Sequence, residues 1–335
     1  MMRLKNLPWQ PAAITLVAAL IAFAAGWYLN GHRTLSEASK DDAQPVRYND
    51  PDYPLISPLV SVAIPNATGF PELAKVQSDV QGIVTDAKKK GVLTDAGVYF
   101  RLPGNAHWFG INENGKFDPG SLIKVPIMLA YLKETEADPS MLDKKIYYNP
   151  KNNDPLPNAL AAQLPAGTYS ASKLMEAMIV DSDNVAKDIL TNQLSDKAIE
   201  DVFDETNSNF LQDPSGTISP KQYIIILSRI YSSTYLDRYY SNYAMDLLTR
   251  TTFKDGLAAG VPVSVKVAHK YGERGVYEDN ALSAVELHDC GLVYADTPYY
   301  ICVMTKGTDE SALAGVIKDI SSTIYNDRET FKPTS

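Results

Sequence analysis

Apolar and polar positions change pattern four times along the chain. From Ala12 to Leu29 there is no charged residue, enough for roughly 27 Å of helix at 1.5 Å per residue, close to the thickness of a bilayer core. Arg3 and Lys5 precede this run, and Trp9 and Trp27-Tyr28 bracket it like interfacial anchors. The pattern predicts a transmembrane helix or signal anchor within Met1–Asn30, N-terminus in the cytoplasm and the remainder outside a bacterial plasma membrane. Ala22-Phe23-Ala24 offers the alternative of signal cleavage and a secreted protein. Gly31–Asn66 is polar and holds Pro45, Pro51, Pro54, Pro58 and Pro65, the composition of a semi-rigid spacer. Residues 67–335 read as one domain.

Inside that domain, helical spacing of Leu73, Val76, Val80, Ile83 and Val84 predicts a helix over Pro71–Gly91, stopped by three lysines and a glycine. Strand-like runs follow at Asp95–Leu102 and Ala106–Ile111, joined through Pro103-Gly104-Asn105. From Ser121 to about Thr249 the pattern is helical almost throughout, most clearly at Ser170–Val180, Asn184–Leu194 and Pro220–Tyr231. Strand character returns at Val261–Ala268, Glu286–Tyr294 and Tyr299–Thr305, the last two forming a hairpin around Ala295-Asp296-Thr297-Pro298. A helix over Ser311–Tyr325 closes the chain. Strands at both ends of a helical middle predict an α+β fold with two lobes. One is an antiparallel sheet flanked by helices and completed when the C-terminal third returns to the N-terminal hairpin; the other is all-helical.

Composition narrows the function. The 335 residues are 45% hydrophobic, enough for a sizeable core, and the formal net charge is −9. That charge, with no basic patch, argues against a nucleic-acid partner. The four histidines, His32, His107, His269 and His288, show no metal-ligand spacing, so neither metal nor cofactor is expected. Cys290 and Cys302 lie on the two arms of the predicted hairpin, either directly paired or on opposite faces. The expectation is two buried thiols.

The chemistry starts from an anomaly. Asp118–Leu132 reads as a turn running into a helix that is apolar almost all round, a helix for a core. Its first turn nevertheless carries Ser121 and Lys124, three residues apart and so on one face. Burying a hydroxyl and an amine costs free energy unless they are satisfied or used. Ser121 is therefore a candidate nucleophile at a helix N-terminus, with Lys124 as its base. A Ser-x-x-Lys spacing alone is weak: Ser170-Ala171-Ser172-Lys173 also matches, and it reads as a solvated helix cap. Two polar motifs further along the chain strengthen Ser121 by their order, Ser182-Asp183-Asn184 between two predicted helices and Lys270-Tyr271-Gly272 just after a predicted strand.

Ser-x-x-Lys, Ser-Asp-Asn and Lys-x-Gly in that order resemble the class A β-lactamase and penicillin-binding-protein superfamily of active-site serine enzymes. Phe117–Ser121, Met178–Asn184, Gly260–Lys270 and Thr217–Pro220 extend the likeness, which runs from about Gly69 to the end. The resemblance implies that Ser121 is acylated and that Lys124 is its base, kept partly neutral by burial and by Lys270. It implies that Ser182 passes a proton to the leaving nitrogen, that Asn184 holds the substrate amide and that Lys270 faces a substrate carboxylate. The backbone N–H groups of Ser121 and Glu273 would form the oxyanion hole, with Gly272 allowing close approach; Asp183 would face away and tie helices together. Substrates would be a β-lactam or a peptidoglycan peptide, handled by a β-lactamase or by a D-alanyl-D-alanine carboxypeptidase-type penicillin-binding protein. The alternative of another class is a sensor that binds and does not turn over.

Two departures qualify the likeness. The family's β-lactamases carry a Glu-x-x-Leu-Asn pattern whose glutamate positions the deacylating water; Asn207–Gly216 holds none, and Glu200, Asp201, Asp204 and Glu205 read as an exposed acidic face. Tyr271 stands where a Thr or Ser is usual, a phenol that reaches too far to replace a short hydroxyl and so implies altered specificity. Arg274 offers another cation or a salt bridge with Glu273. His269 reads as core, and His288 with Asp289 as a structural pair.

Overall fold

Apolar residues alternate along the longest strands, and both faces of the sheet they form are covered. A computed structural model of the chain describes residues 53–56, 70–105, 107–152, 164–205, 216–278 and 281–331, all within one compact unit, Arg47–Ser335. The predicted membrane span Met1–Asn30, most of the spacer, and the loop 207–215 lie outside the described residues. Among those described, no helix is long and apolar enough to cross a membrane.

Five strands form the main sheet: β1 (Leu93–Arg101), β2 (Trp108–Ile111), β5 (Val267–Glu278), β6 (Ala281–Val293) and β7 (Tyr299–Gly307), in the spatial order β2-β1-β7-β6-β5. Every neighbouring pair is antiparallel, and β7 pairs with β1, so the C-terminal third does complete the N-terminal hairpin. On one face Val98, Phe100, Ile301 and Val303 pack under α1 (Ala74–Lys89) and the C-terminal helix α8 (Glu310–Asn326). On the other, Tyr99, Tyr300, Cys302 and Met304 meet the helical lobe. This is the period-two consequence of the strand pleat.

The helical lobe comprises α2 (Lys124–Ala137), α3 (Ala171–Val180), α4 (Asn184–Thr191), α5 (Asp196–Glu205), α6 (Pro220–Tyr231) and α7 (Arg238–Thr249). Lys124 through Leu132 of α2 are buried without interruption, as an all-round apolar helix requires. Caps set the helix starts. Ser170 accepts from Lys173 N, Asp183 from Ala186 N, and Ser219 with Gln222 forms a reciprocal capping box ahead of Pro220. Within the stretch read as spacer, Leu55 N donates to Asn242 Oδ1 (3.2 Å) and Tyr294 OH donates to Leu55 O (2.8 Å), so Tyr53–Ile56 packs on this lobe.

Three expectations need correction. The helical middle is interrupted by β3 (Lys145–Tyr148) and β4 (Gly167–Ser170), a separate antiparallel pair; each is only four residues, and their mixed burial gave no alternation to read. Of Val261–Ala268 only the last two residues are strand. Val265 N donates to Pro262 O at 2.8 Å, a turn, and Val263 is fully exposed, so β5 begins only at Val267. Cys290 and Cys302 face each other directly in the β6–β7 register with Cα atoms 3.9 Å apart, and they form a disulfide rather than two thiols.

Candidate active site

The nucleophile turn is built before α2 begins. Gly120–Ile123 forms a single 3₁₀ turn and Lys124 opens the helix, which puts both side chains on one face. Gly120 has φ +49°, and a Cβ there would lie 2.6 Å from Glu273 O and 3.0 Å from Glu273 N, so the edge strand β5 is pressed against this turn. A Cβ on Gly272 would overlap Pro119 O. The glycine thus serves close packing of strand against turn. Gly120→Ala is expected to cost about 1–3 kcal/mol from the left-handed backbone and the clash together. Thermal unfolding checks this; an unchanged melting temperature contradicts it.

Further contacts pin the turn. Gly120 N donates to Asp118 Oδ1 (2.9 Å), Asp118 N donates to Glu286 Oε2 (2.9 Å), and His288 Nε2 is 2.8 Å from Asp118 O. Tyr223 of α6 donates its hydroxyl to Leu122 O at 3.2 Å. Burial works to raise the pKa of Glu286, but His288, the Asp118 N–H and Lys306 outweigh it and hold the carboxyl below its ordinary value. His288 is therefore paired with the turn and not with Asp289. Asp289 instead takes His269 Nδ1 (2.7 Å) and Leu257 N (2.9 Å), and His269 is fully buried.

Lys124 stands at the centre. Its Nζ lies 2.9 Å from Ser121 Oγ, 2.6 Å from Ser182 O, 3.0 Å from Ser182 Oγ and 2.7 Å from Asn184 Oδ1. An ammonium has three donors for these four oxygens, whereas a neutral amine has two donors and a lone pair. The two carbonyl-type oxygens can only accept, so in the neutral form they take both N–H groups and the lone pair is left for a hydroxyl proton. Burial lowers the pKa of Lys124 to about 7, with Lys187 adding to the shift and Asp183 and Asp188 opposing it. Lys187 is thus a further neighbouring cation acting on Lys124, beside Lys270, whose Nζ shares Ser182 Oγ with it. Lys270 is itself held well below its ordinary range, by burial first and Lys124 second.

The Ser182-Asp183-Asn184 corner joins α3 to α4, and Ser182 takes the left-handed conformation, φ +60°. For a residue with a Cβ that conformation is held only by its surroundings. Asp183 turns away from the lysines, caps α4, and accepts a 2.6 Å hydrogen bond from the buried Tyr148 of β3. It ties the corner down, as the resemblance implied.

From the other side β5 brings Lys270, which lies inside the strand and not after one. Its Nζ donates to Ser182 Oγ (2.8 Å) and Tyr271 O (3.0 Å). The Tyr271 ring stacks on Phe253 at 4.3 Å and lies 4.2 Å from Lys270 Nζ, beside the site. Arg274 pairs with Asp118 (3.4 Å) and not with Glu273; the carboxyl of Glu273 is pushed up to about 7 by burial and by Glu310.

The structure therefore gathers Ser121, Lys124, Ser182, Asn184, Lys270, Gly272 and the backbone of Glu273 around one point. Sequence reading missed Tyr148, Tyr223, Phe253 and Glu286. Each supports the site through a contact made across a long stretch of chain, and none sits in a motif.

A family model described as "Beta-lactamase enzyme family" matches residues 75–327. Among solved structures, PBP-A superposes with TM-score 0.65 at 24% identity, over 77% of this chain and 97% of that one. A variant of PBP-A, solved as an acyl-enzyme complex with penicillin G, gives 0.63 at 24%, over 77% and 97%. A class A beta-lactamase from Mycobacterium abscessus gives 0.63 at 22%, over 76% and 99%. At these identities the structural likeness shows the fold. No curated protein sequence matches.

Proposed function

The chain belongs to the beta-lactamase enzyme family, and on that premise we propose that it is an active-site serine hydrolase, acylated on Ser121 by a β-lactam or a D-alanyl cell-wall peptide and slow to release the acyl group. The observation that carries this reading is the 2.9 Å contact between Ser121 Oγ and a lysine whose pKa is lowered to about 7.

In the proposed reaction Ser121 Oγ attacks the carbonyl carbon as its proton passes to Lys124 Nζ. The backbone N–H groups of Ser121 and Glu273 receive the oxyanion. As the tetrahedral intermediate collapses, the C–N bond breaks and Ser182, backed by Lys124 and Lys270, delivers a proton to the nitrogen. Asn184 positions the substrate amide. In a β-lactam the freed amine stays attached through the opened ring; in a peptide it departs as D-alanine. Water then cleaves the ester, returning a carboxylic acid and the Ser121 hydroxyl.

Two facts support slow release. Residues 207–216 lack the Glu-x-x-Leu-Asn pattern, and a PBP-A variant with this fold was captured with penicillin G attached. They favour the penicillin-binding-protein side of the family, as a carboxypeptidase-type enzyme or a sensor that holds its ligand. A chromogenic β-lactam mixed with the protein is expected to give a burst of about one equivalent and then slow turnover, a pattern of accumulating acyl-enzyme. Linear turnover without a burst contradicts slow release.

Export and tethering through the apolar run Ala12–Leu29 belong to the same proposal. The full chain is expected to stay with bacterial membranes through an alkaline carbonate wash while a chain starting at Gly31 is released. Full-length protein in the wash contradicts the tether.

A further inference from the structure

Lys270 is the amino group that an anionic substrate group would seek beside Ser121, yet it is fully buried. Its surroundings are taken on three sides. Nζ donates to Ser182 Oγ (2.8 Å) and Tyr271 O (3.0 Å), and on a third side it lies over the Tyr271 ring, 4.2 Å from its centroid. That ring is itself held. Tyr271 is only 6% exposed, and it stacks on Phe253 at 4.3 Å with an interplanar angle of 21°. The Tyr271 ring, backed by Phe253, thus lies over Lys270 Nζ. A carboxylate reaching Lys270 must part this stack and break the cation–π contact. The next cation along the strand, Arg274, is paired with Asp118 at 3.4 Å.

We propose that Tyr271 and Phe253 screen Lys270 from the substrate, so that the site makes little use of a carboxylate beside the scissile amide and accepts acyl donors with an uncharged group there as readily as anionic ones. Tyr271 is then the specificity-determining residue. The inference rests on acylation of Ser121 and widens its class of substrate to neutral or amidated donors beside anionic ones. A short side chain at position 271 would free one N–H of Lys270 and open a path to it.

The test compares rates of acylation, read by intact mass, for penicillin G and for its neutral methyl ester. The full chain in detergent is used as wild type, Tyr271→Phe and Tyr271→Thr. Wild type and Tyr271→Phe, which keeps the ring, are expected to take acid and ester at similar rates. Tyr271→Thr is expected to raise the acid-to-ester ratio by about tenfold or more, the scale of one charge-assisted hydrogen bond. A wild-type preference for the acid of about a hundredfold overturns the screen, whether Lys270 or Arg274 is responsible. So does a Tyr271→Thr protein that is labelled on Ser121 with an unchanged ratio. If that variant fails to fold, wild type and Tyr271→Phe decide the matter, because a strong acid preference in either contradicts it. Absence of labelling by both ligands overturns acylation itself, and the screen with it.

Discussion

Ser121→Ala is expected to lose all covalent labelling by penicillin and to lower any turnover by on the order of 10⁶-fold, the scale seen when another serine hydrolase loses its nucleophile. Ser121 is partly accessible and sits in a turn held from outside by Glu286, His288 and Tyr223. Removing one hydroxyl leaves those supports in place, and Lys124 keeps three of its four oxygens. The variant should therefore fold with an unchanged melting temperature. A labelled Ser121→Ala protein would mean that another residue is the nucleophile, and the solvated Ser170-Ala171-Ser172-Lys173 cap would be the first to inspect.

The second large effect is at Lys124. Lys124→Met should slow acylation by about 10²–10⁴-fold, the usual contribution of a positioned general base. The sign of the pH dependence comes from burial. The active form is the neutral amine, and its pKa is lowered to about 7. Acylation by the wild type should therefore rise as pH increases through about 7 and level off above it. Lys124→Met should lose that inflection. Stability carries the cost of the same shift: the unfolded chain holds the Lys124 proton up to its ordinary pKa near 10.5 and the folded chain only to about 7. This group thus opposes folding in full below about 7, where the folded chain carries a buried charge; the opposition shrinks steadily as pH rises from about 7 to about 10.5 and is gone above that. A methionine of similar length removes the buried amine, so the variant should melt no lower than wild type at pH 6. A rate profile unchanged by the substitution would remove Lys124 from the base role.

Much of this was legible because periodicity and polarity disagree sharply at a few places. An all-round apolar helix with a serine and a lysine on one face is hard to explain as packing alone, and the three motifs fall in one order. Strand and helix identities were readable wherever runs were long, as in β6, β7 and α8. Short or exposed elements were not. Lys145–Tyr148 is mostly accessible, and the spaced valines of Val261–Val265 imitate a strand while Pro262 makes a turn. Register defeated the cysteine reading, since a shift of one residue separates a bonded pair from two thiols on opposite faces. The same limit applies to charge. Which acid meets His269 or Arg274 depends on cross-strand and interlobe neighbours that sequence spacing does not encode, and so does the added effect of Lys187 on Lys124. Tyr271 shows it most clearly. As a letter it was a phenol too long for its place, and in the fold it stacks on Phe253 and lies over Lys270.

The most direct measurement is a time course of intact mass for the wild-type protein mixed with excess penicillin G, followed by peptide mapping of the adduct. The expected result is a single adduct of full ligand mass on the peptide containing Ser121, formed faster above pH 7 than below it and persisting after free ligand is removed. An adduct on any other residue, or no adduct at all while the ligand remains in excess, would contradict acylation at Ser121.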